Sequence, residues 1–232
     1  MRIIGNGFIA KNLKKAKLKF HDNYVIYAAG ISNSKTKNKI NLKKERDKFI
    51  KFTKNLNSSK IIIYISSLSV IDKSLKKDNY VKNKLFIENF LKLKKKNFII
   101  IRLTQVVGFN KNPNTLTNFF FNNIKNKKEF IFWTNTKRNL IDIKDVQNIF
   151  RKIVKKKFIR NKIINIQNPV SINTKKIIDI FSKILKQKPN FKKLFNKRNS
   201  NHLYTSKNNS NEFSNFFKKK NYNEKLLIKY YK

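Results

Sequence analysis

Lys60-Ile61-Ile62-Ile63-Tyr64-Ile65-Ser66-Ser67-Leu68-Ser69 is a run of β-branched and aromatic residues that stops on hydroxyls. An apolar run without alternation is the pattern of a strand covered on both faces, and such strands belong to parallel sheets flanked by helices. The serines then fall at the strand's carboxyl end, where open α/β sheets bind ligands. The arrangement recurs in both directions. Upstream, residues 1–4 run into Gly5-Asn6-Gly7-Phe8-Ile9-Ala10, and the apolar residues 24–29 end in Gly30. Downstream, the apolar run Phe98–Leu103 is followed by Thr104-Gln105-Val106-Val107-Gly108. The stretch to about residue 15, and residues 42–56, 80–95, 145–155 and 173–186, read as helices. Phe130–Trp133 and residues 140–143 read as short extended pieces, and residues 163–166 as a strand. Short buried strands alternating with amphipathic helices predict an α/β fold with a mostly parallel sheet. From about residue 191 the chain is rich in asparagine and lysine, which predicts a loosely packed terminal lobe or tail.

Length and composition narrow the function. At 232 residues the chain can bury a real core. It has no cysteine, which excludes disulfides and thiolate metal sites, and its two histidines, His21 and His202, cannot build a metal cluster alone. No metal is expected. No apolar run approaches the roughly 18–20 residues that span a bilayer, and the N-terminal stretch, broken by Gly5 and Gly7, does not read as a signal peptide. A soluble cytoplasmic protein without membrane insertion is the expectation. The formal net charge of +44 invites a nucleic-acid reading. Lysine outnumbers arginine roughly seven to one, however, and is spread along the whole chain, whereas phosphate and base recognition favour arginine's planar fork. With asparagine, isoleucine and phenylalanine abundant and glycine scarce, the composition fits an AT-rich coding bias. Nucleic acid is therefore not an expected partner, although the positive field will attract anionic ligands.

Four motifs carry chemistry. Gly5-x-Gly7-x-x-Ala10, after a strand and opening a helix, fits the dinucleotide fingerprint. There glycines let backbone approach a pyrophosphate and the helix N-terminus supplies N–H groups and positive potential. An ordinary tight strand-to-helix turn has the same shape, but two of only four glycines stand here. Tyr80 and Lys84, four apart, share one helix face, where a lysine cation can make a phenol a usable acid or base. In so lysine-rich a chain this spacing also arises by accident. Ser67 could hold the oxygen that Tyr80 protonates, with Ser66 and Ser69 as loop hydroxyls. Arg102 reads equally as a structural ion-pair partner or a site residue. Arg138 could be a solvated loop charge, yet its fork suits phosphate. The histidines read as exposed and without a role.

Taken in order, these residues resemble the extended short-chain dehydrogenase/reductase family of NAD(P)-dependent sugar-nucleotide epimerases, dehydratases and reductases. Gly5-Asn6-Gly7-Phe8-Ile9-Ala10 is similar to the family's G-x-G-F-I-G turn, and Val25-Ile26-Tyr27-Ala28-Ala29 to its V-I-H-x-A-A strand. Ile65-Ser66-Ser67-Leu68-Ser69-Val70 resembles S-S-x-x-V, Tyr80 and Lys84 match Y-x-x-x-K, Arg102 to Gly108 resembles R-x-x-N-V-Y-G, and Arg138 to Val146 resembles R-D-F-I-H-V-x-D-V. The match covers residues 1 to about 150.

The resemblance implies a Rossmann-like sheet with helices on both faces, as a cofactor domain over residues 1–165, with residues 110–137 contributing to the substrate side. Residues 166–232 would form a small C-terminal substrate lobe and tail. It implies NAD or NADP as cofactor, held by Gly5, Gly7, Phe8, Ile9, Ala28, Ala29, Gly30 and Lys84. Tyr80 would be the acid/base, Lys84 would lower its pKa and contact the nicotinamide ribose, and Ser67 would orient the substrate oxygen. Gln105 and Arg138 would meet a nucleotide-linked keto-sugar, in reduction or epimerisation for surface-polysaccharide synthesis. A homodimer is compatible with this reading, and the alternative is a non-catalytic relative that binds a nucleotide sugar or protein partner. The chain departs from the family where the second and third strands would stand. About fifteen residues separate the glycine turn from the A-A strand, and the missing segment normally carries the group that reads the adenosine ribose. Asp22 is the one acid nearby, and it reads as a turn cap.

Overall fold

The computed structural model describes residues 2–20, 23–31, 33, 36, 38–95, 97–155, 160–195, 211–217 and 219–232. His21, Asp22 and His202 lie outside the described residues. In chain order the elements are β1 (Ile3–Ile4), α1 (Phe8–Lys15), β2 (Tyr24–Tyr27), α2 (Lys39–Lys54), β3 (Ile61–Ser67), α3 (Asn79–Lys94), β4 (Phe98–Leu103) and β5 (Gln105–Val107). They continue as α4 (Leu116–Lys125), β6 (Phe130–Trp133), β7 (Lys137–Arg138), β8 (Leu140–Asp142), α5 (Ile143–Lys155), β9 (Lys162–Ile166), β10 (Ile172–Asn173), α6 (Thr174–Leu185), β11 (Phe191–Leu194) and α7 (Tyr222–Tyr231).

The chain divides into two compact units: Met1–Leu103 with Val146–Ile166, and Thr104–Asp145 with Gln167–Lys232. The first is built on a five-stranded sheet, order β1-β2-β3-β4-β9, in which every pair is parallel. Helices flank it, as the alternating pattern requires. The isoleucine run becomes β3 and is buried over six consecutive residues, because a parallel strand has no solvent face. The core includes Tyr27, Phe49, Ile62, Tyr64, Ile87, Leu91, Phe98 and Ile100, with Tyr27 and Phe49 edge to face at 4.8 Å. In a chain short of small residues, aromatic edges fill the gaps between strand and helix.

Two features of this unit position the candidate residues. Helix α3 starts where Asp78 accepts the Tyr80 and Val81 N–H groups at 2.8 and 3.1 Å, a side-chain cap at its N-terminus. Its buried stripe then runs Val81, Lys84, Ile87, Glu88 and Leu91. Two charges therefore enter the core, and each has a partner. Arg102 on β4 grips Glu88 with two bonds of 3.0 and 2.5 Å, and Ser66 donates to the same carboxylate at 2.6 Å. Of the two readings of Arg102, the structure shows the ion pair. Removing one partner of such a buried pair strands the other charge, at a cost of about 3–5 kcal/mol.

Among the described residues the second unit contains three two-stranded pairings, β5 with β8 and β6 with β11 in parallel, β7 with β10 antiparallel. Helix α6 packs against α4 and against α7. The C-terminal stretch, expected to pack loosely, ends in α7 with Tyr222, Leu226 and Leu227 buried. Its tyrosines do the anchoring. The Tyr222 hydroxyl donates to Asp145 at 2.6 Å and accepts the Asp142 N–H at 2.7 Å, while Tyr230 donates to Asp142 at 2.6 Å. Asparagine and lysine between these anchors conceal the helix in the sequence.

Candidate functional site

The candidate site assembles from glycine geometry within the first unit. Gly5 ends β1 at φ +123°, a conformation open to glycine alone, and a Cβ there would collide with the Ala28 carbonyl and the Ala29 nitrogen. The glycine turn thus lies directly on the Ala28-Ala29 turn that ends β2. Gly7 is different: its φ is an ordinary −76°, and a Cβ would meet nothing within 4 Å. It stands open at the start of α1, whose first turn has neither a side-chain cap bond nor an acidic residue. Phe8 and Ile9 follow, half-buried, and Lys14 folds back to donate to the Gly5 carbonyl at 2.7 Å and Asn6 Oδ1 at 3.3 Å. A cation therefore rests on the turn, where a phosphate would find positive potential.

Gly30 links this turn to α3. A Cβ on Gly30 would strike the Lys84 ammonium and come within 2.9 Å of Glu45 Oε1. Those two groups form an ion pair of 2.9 Å whose side chains are only 4 % and 3 % exposed. Glu45 Oε2 also accepts the Ile31 N–H at 3.1 Å, so the carboxylate ties α2 to the loop after β2 as well as to α3. The Lys84 nitrogen lies 5.5 Å from the ring centroids of both Tyr64 and Tyr80. Burial works against the ammonium, but the Tyr64 and Tyr80 phenols and the Glu45 carboxylate outweigh it, and its pKa is raised above the ordinary lysine value. Lys84 thus lies as the buried partner of Glu45 beside the half-buried Tyr80. Burial first, and the Glu45 charge second, raise the pKa of the neighbouring Tyr27.

Ser67 is the last residue of β3 and accepts the Ser69 N–H at 3.3 Å, with its Oγ 2.8 Å from Ser69 Oγ. It thereby caps the 3₁₀ turn Leu68–Ile71, which packs on α3. Ser66, by contrast, is spent on Glu88. The structure brings Gly5, Ala28, Ala29, Gly30, Lys84 and Tyr80 into one contact chain, with Ser67 at the adjoining strand end.

Gln105 and Arg138 belong to the second unit. Gln105 opens β5, its N–H donating to Asn139 O at 3.2 Å, and its Oε1 is buried without a hydrogen-bond partner among the described residues. Arg138 sits half-buried in β7, opposite Ile172.

Sequence reasoning missed Glu45 and Lys14. Glu45 was legible: it lies three residues after Leu42 and four before Phe49, on the buried stripe of α2, and an acid on an apolar stripe calls for a buried cation. Lys14 carried no signal among so many lysines.

No protein-family model matches the sequence, and no curated protein does. The fold has relatives among solved structures. The dTDP-4-dehydrorhamnose reductase of Bacillus anthracis str. Ames, solved with NADP, aligns at a TM-score of 0.72 and 14% identity, covering 99% of this chain and 97% of that one. RMD from Pseudomonas aeruginosa, solved with NADPH, gives 0.69 and 12% over 97% and 95%. UDP-glucuronic acid 4-epimerase from Bacillus cereus, solved with UDP-glucuronic acid and NAD, gives 0.65 and 16% over 97% and 77%. The chain has the Rossmann-like α/β fold of these NAD(P)-dependent reductase and epimerase structures.

Proposed function

We propose that the chain is an NAD(P)-dependent oxidoreductase or epimerase acting on a nucleotide-linked keto-sugar, in surface-polysaccharide synthesis. The observation that carries this reading is the contact chain from the glycine turn through Gly30 to Lys84 and Tyr80. The open Gly7 and the uncapped first turn of α1 fit the phosphates of a dinucleotide, and Phe8, Ile9 and the Ala28-Ala29-Gly30 turn border the same ground. A nicotinamide cofactor held there would supply the hydride exchange.

The chain's own residues supply proton transfer. Tyr80 Oη exchanges a proton with the sugar's hydroxyl or keto oxygen. Lys84, paired with Glu45, places a positive charge beside that phenol. Its ammonium is already engaged by Glu45, so its action on Tyr80 is electrostatic. Ser67 orients the substrate oxygen, and Gln105 and Arg138 meet the nucleotide-sugar.

The test is turnover of dTDP- and UDP-linked keto-sugars with NADH and NADPH. Tyr80→Phe should lower kcat about 10²–10⁴-fold with little change in cofactor affinity; full turnover by that variant would remove Tyr80 from the mechanism. The buried Lys84–Glu45 pair also favours a second reading, a non-catalytic relative that binds a nucleotide sugar. Sugar binding without turnover by the unmodified chain would select it.

A further inference from the structure

Resting on the nicotinamide-cofactor reading above, we propose that the chain grips such a cofactor by its nicotinamide and phosphate half alone and leaves the adenosine end unread. In a dinucleotide fold the two halves lie on either side of the first strand. The adenosine ribose is read by a carboxylate or arginine about 20 residues after the glycines, from the strand on the outer side. Here the residue twenty positions beyond Gly7 is Tyr27. Its ring is buried against Phe49 and Phe52 at 4.8 and 5.0 Å, inside the core.

The strand that carries Tyr27 is also on the wrong side to read adenosine. β2 pairs with β1 on one edge and β3 on the other, and it ends in the Ala28-Ala29-Gly30 turn that touches Lys84. It is therefore the strand of the nicotinamide half. Among the described residues nothing pairs with the outer edge of β1, which ends the sheet. α1 ends at Lys15 and β2 begins at Tyr24, so the connection is eight residues long, fewer than one parallel crossover needs. At the carboxyl end of β1 the described residues offer phosphate chemistry, namely the open Gly7, the first turn of α1 and the Lys14 ammonium on the Gly5 carbonyl.

The ligand class is then any reduced nicotinamide nucleotide with a 5′-phosphate, whatever is attached beyond it. The experiment is calorimetric titration of the full chain with NADH, NADPH and reduced nicotinamide mononucleotide, in about 0.5 M salt to screen the general positive field. The three dissociation constants should agree within about threefold, and adenosine monophosphate at about tenfold excess should displace none of them. Either dinucleotide binding about tenfold or more tighter than the mononucleotide, or a comparable split between NADH and NADPH, overturns the inference and leaves the nicotinamide reading standing. Absence of binding by all three overturns both.

Discussion

Two glycines of one turn should respond oppositely to the same change. Gly5→Ala puts a Cβ into the Ala28 backbone at φ +123°, and neither strand can retreat without breaking the β1–β2 pairing. A loss of about 2–4 kcal/mol in denaturant unfolding is expected. Gly7→Ala meets open space and should cost at most about 1 kcal/mol, through its cap position. Its effect should fall on phosphate affinity, with a rise in cofactor dissociation constant of about tenfold or more. If Gly7→Ala changed neither stability nor affinity, the turn would be only a turn. Glu45→Gln or Lys84→Met should each cost about 3–5 kcal/mol, since each strands a buried charge. Glu45→Gln combined with Lys84→Met should cost clearly less than the two singles together, read from a double-mutant cycle. Of these residues the glycines, Tyr80 and Lys84 were legible from spacing. The stripe of α2 shows that Glu45 needs a buried cation, but not that the cation is Lys84, which lies 39 positions away and is brought near only by folding.

At the level of elements, α3 is held in register by its start as well as its stripe. Asp78→Ala removes two capping bonds and should cost about 1 kcal/mol in unfolding. Because Tyr80 is the second residue of the helix, fraying there should also lower turnover in the same variant, with cofactor affinity kept. Loss of stability without loss of turnover would mean the cap supports the fold alone. Strands β2, β3, β4 and β9 were each readable as apolar runs, since parallel strands bury both faces. Helices α4 and α7 were not: α4 has consecutive phenylalanines among asparagines, and α7 pairs apolar leucines with tyrosines whose hydroxyls find Asp142, Asp145 and Asn118 only after folding. Amphipathic period fails as a signal where half the buried anchors are themselves polar.

For the whole molecule, tyrosines buried around carboxylates set the alkaline limit of stability. Burial is the leading cause that raises Tyr27, Tyr64 and Tyr222 above the ordinary phenol value. Above about pH 10 the unfolded chain releases these protons while the folded chain keeps them. The unfolded state then binds fewer protons, so stability is intact below pH 10 and falls as pH rises further. Each such tyrosine contributes about 1.4 kcal/mol per pH unit to that fall. Tyr64→Phe should flatten the slope by that amount, measured by denaturant unfolding in about 0.5 M salt so that lysine repulsion is screened. An unchanged slope would show that Tyr64 ionises normally in the folded state.

By itself the sequence determined the α/β alternation, the parallel sheet and the candidate residues at its strand ends, because these depend on local apolar runs and on glycine's freedom at short range. Only the tertiary structure decided that β1 ends the sheet among the described residues, that Glu45 pairs with Lys84, and that Gly30 leaves room for that pair. Those are facts about strand order and about which charge pairs with which, and they arise from contacts between residues far apart in the chain: a local stripe can mark a buried charge but cannot name its partner.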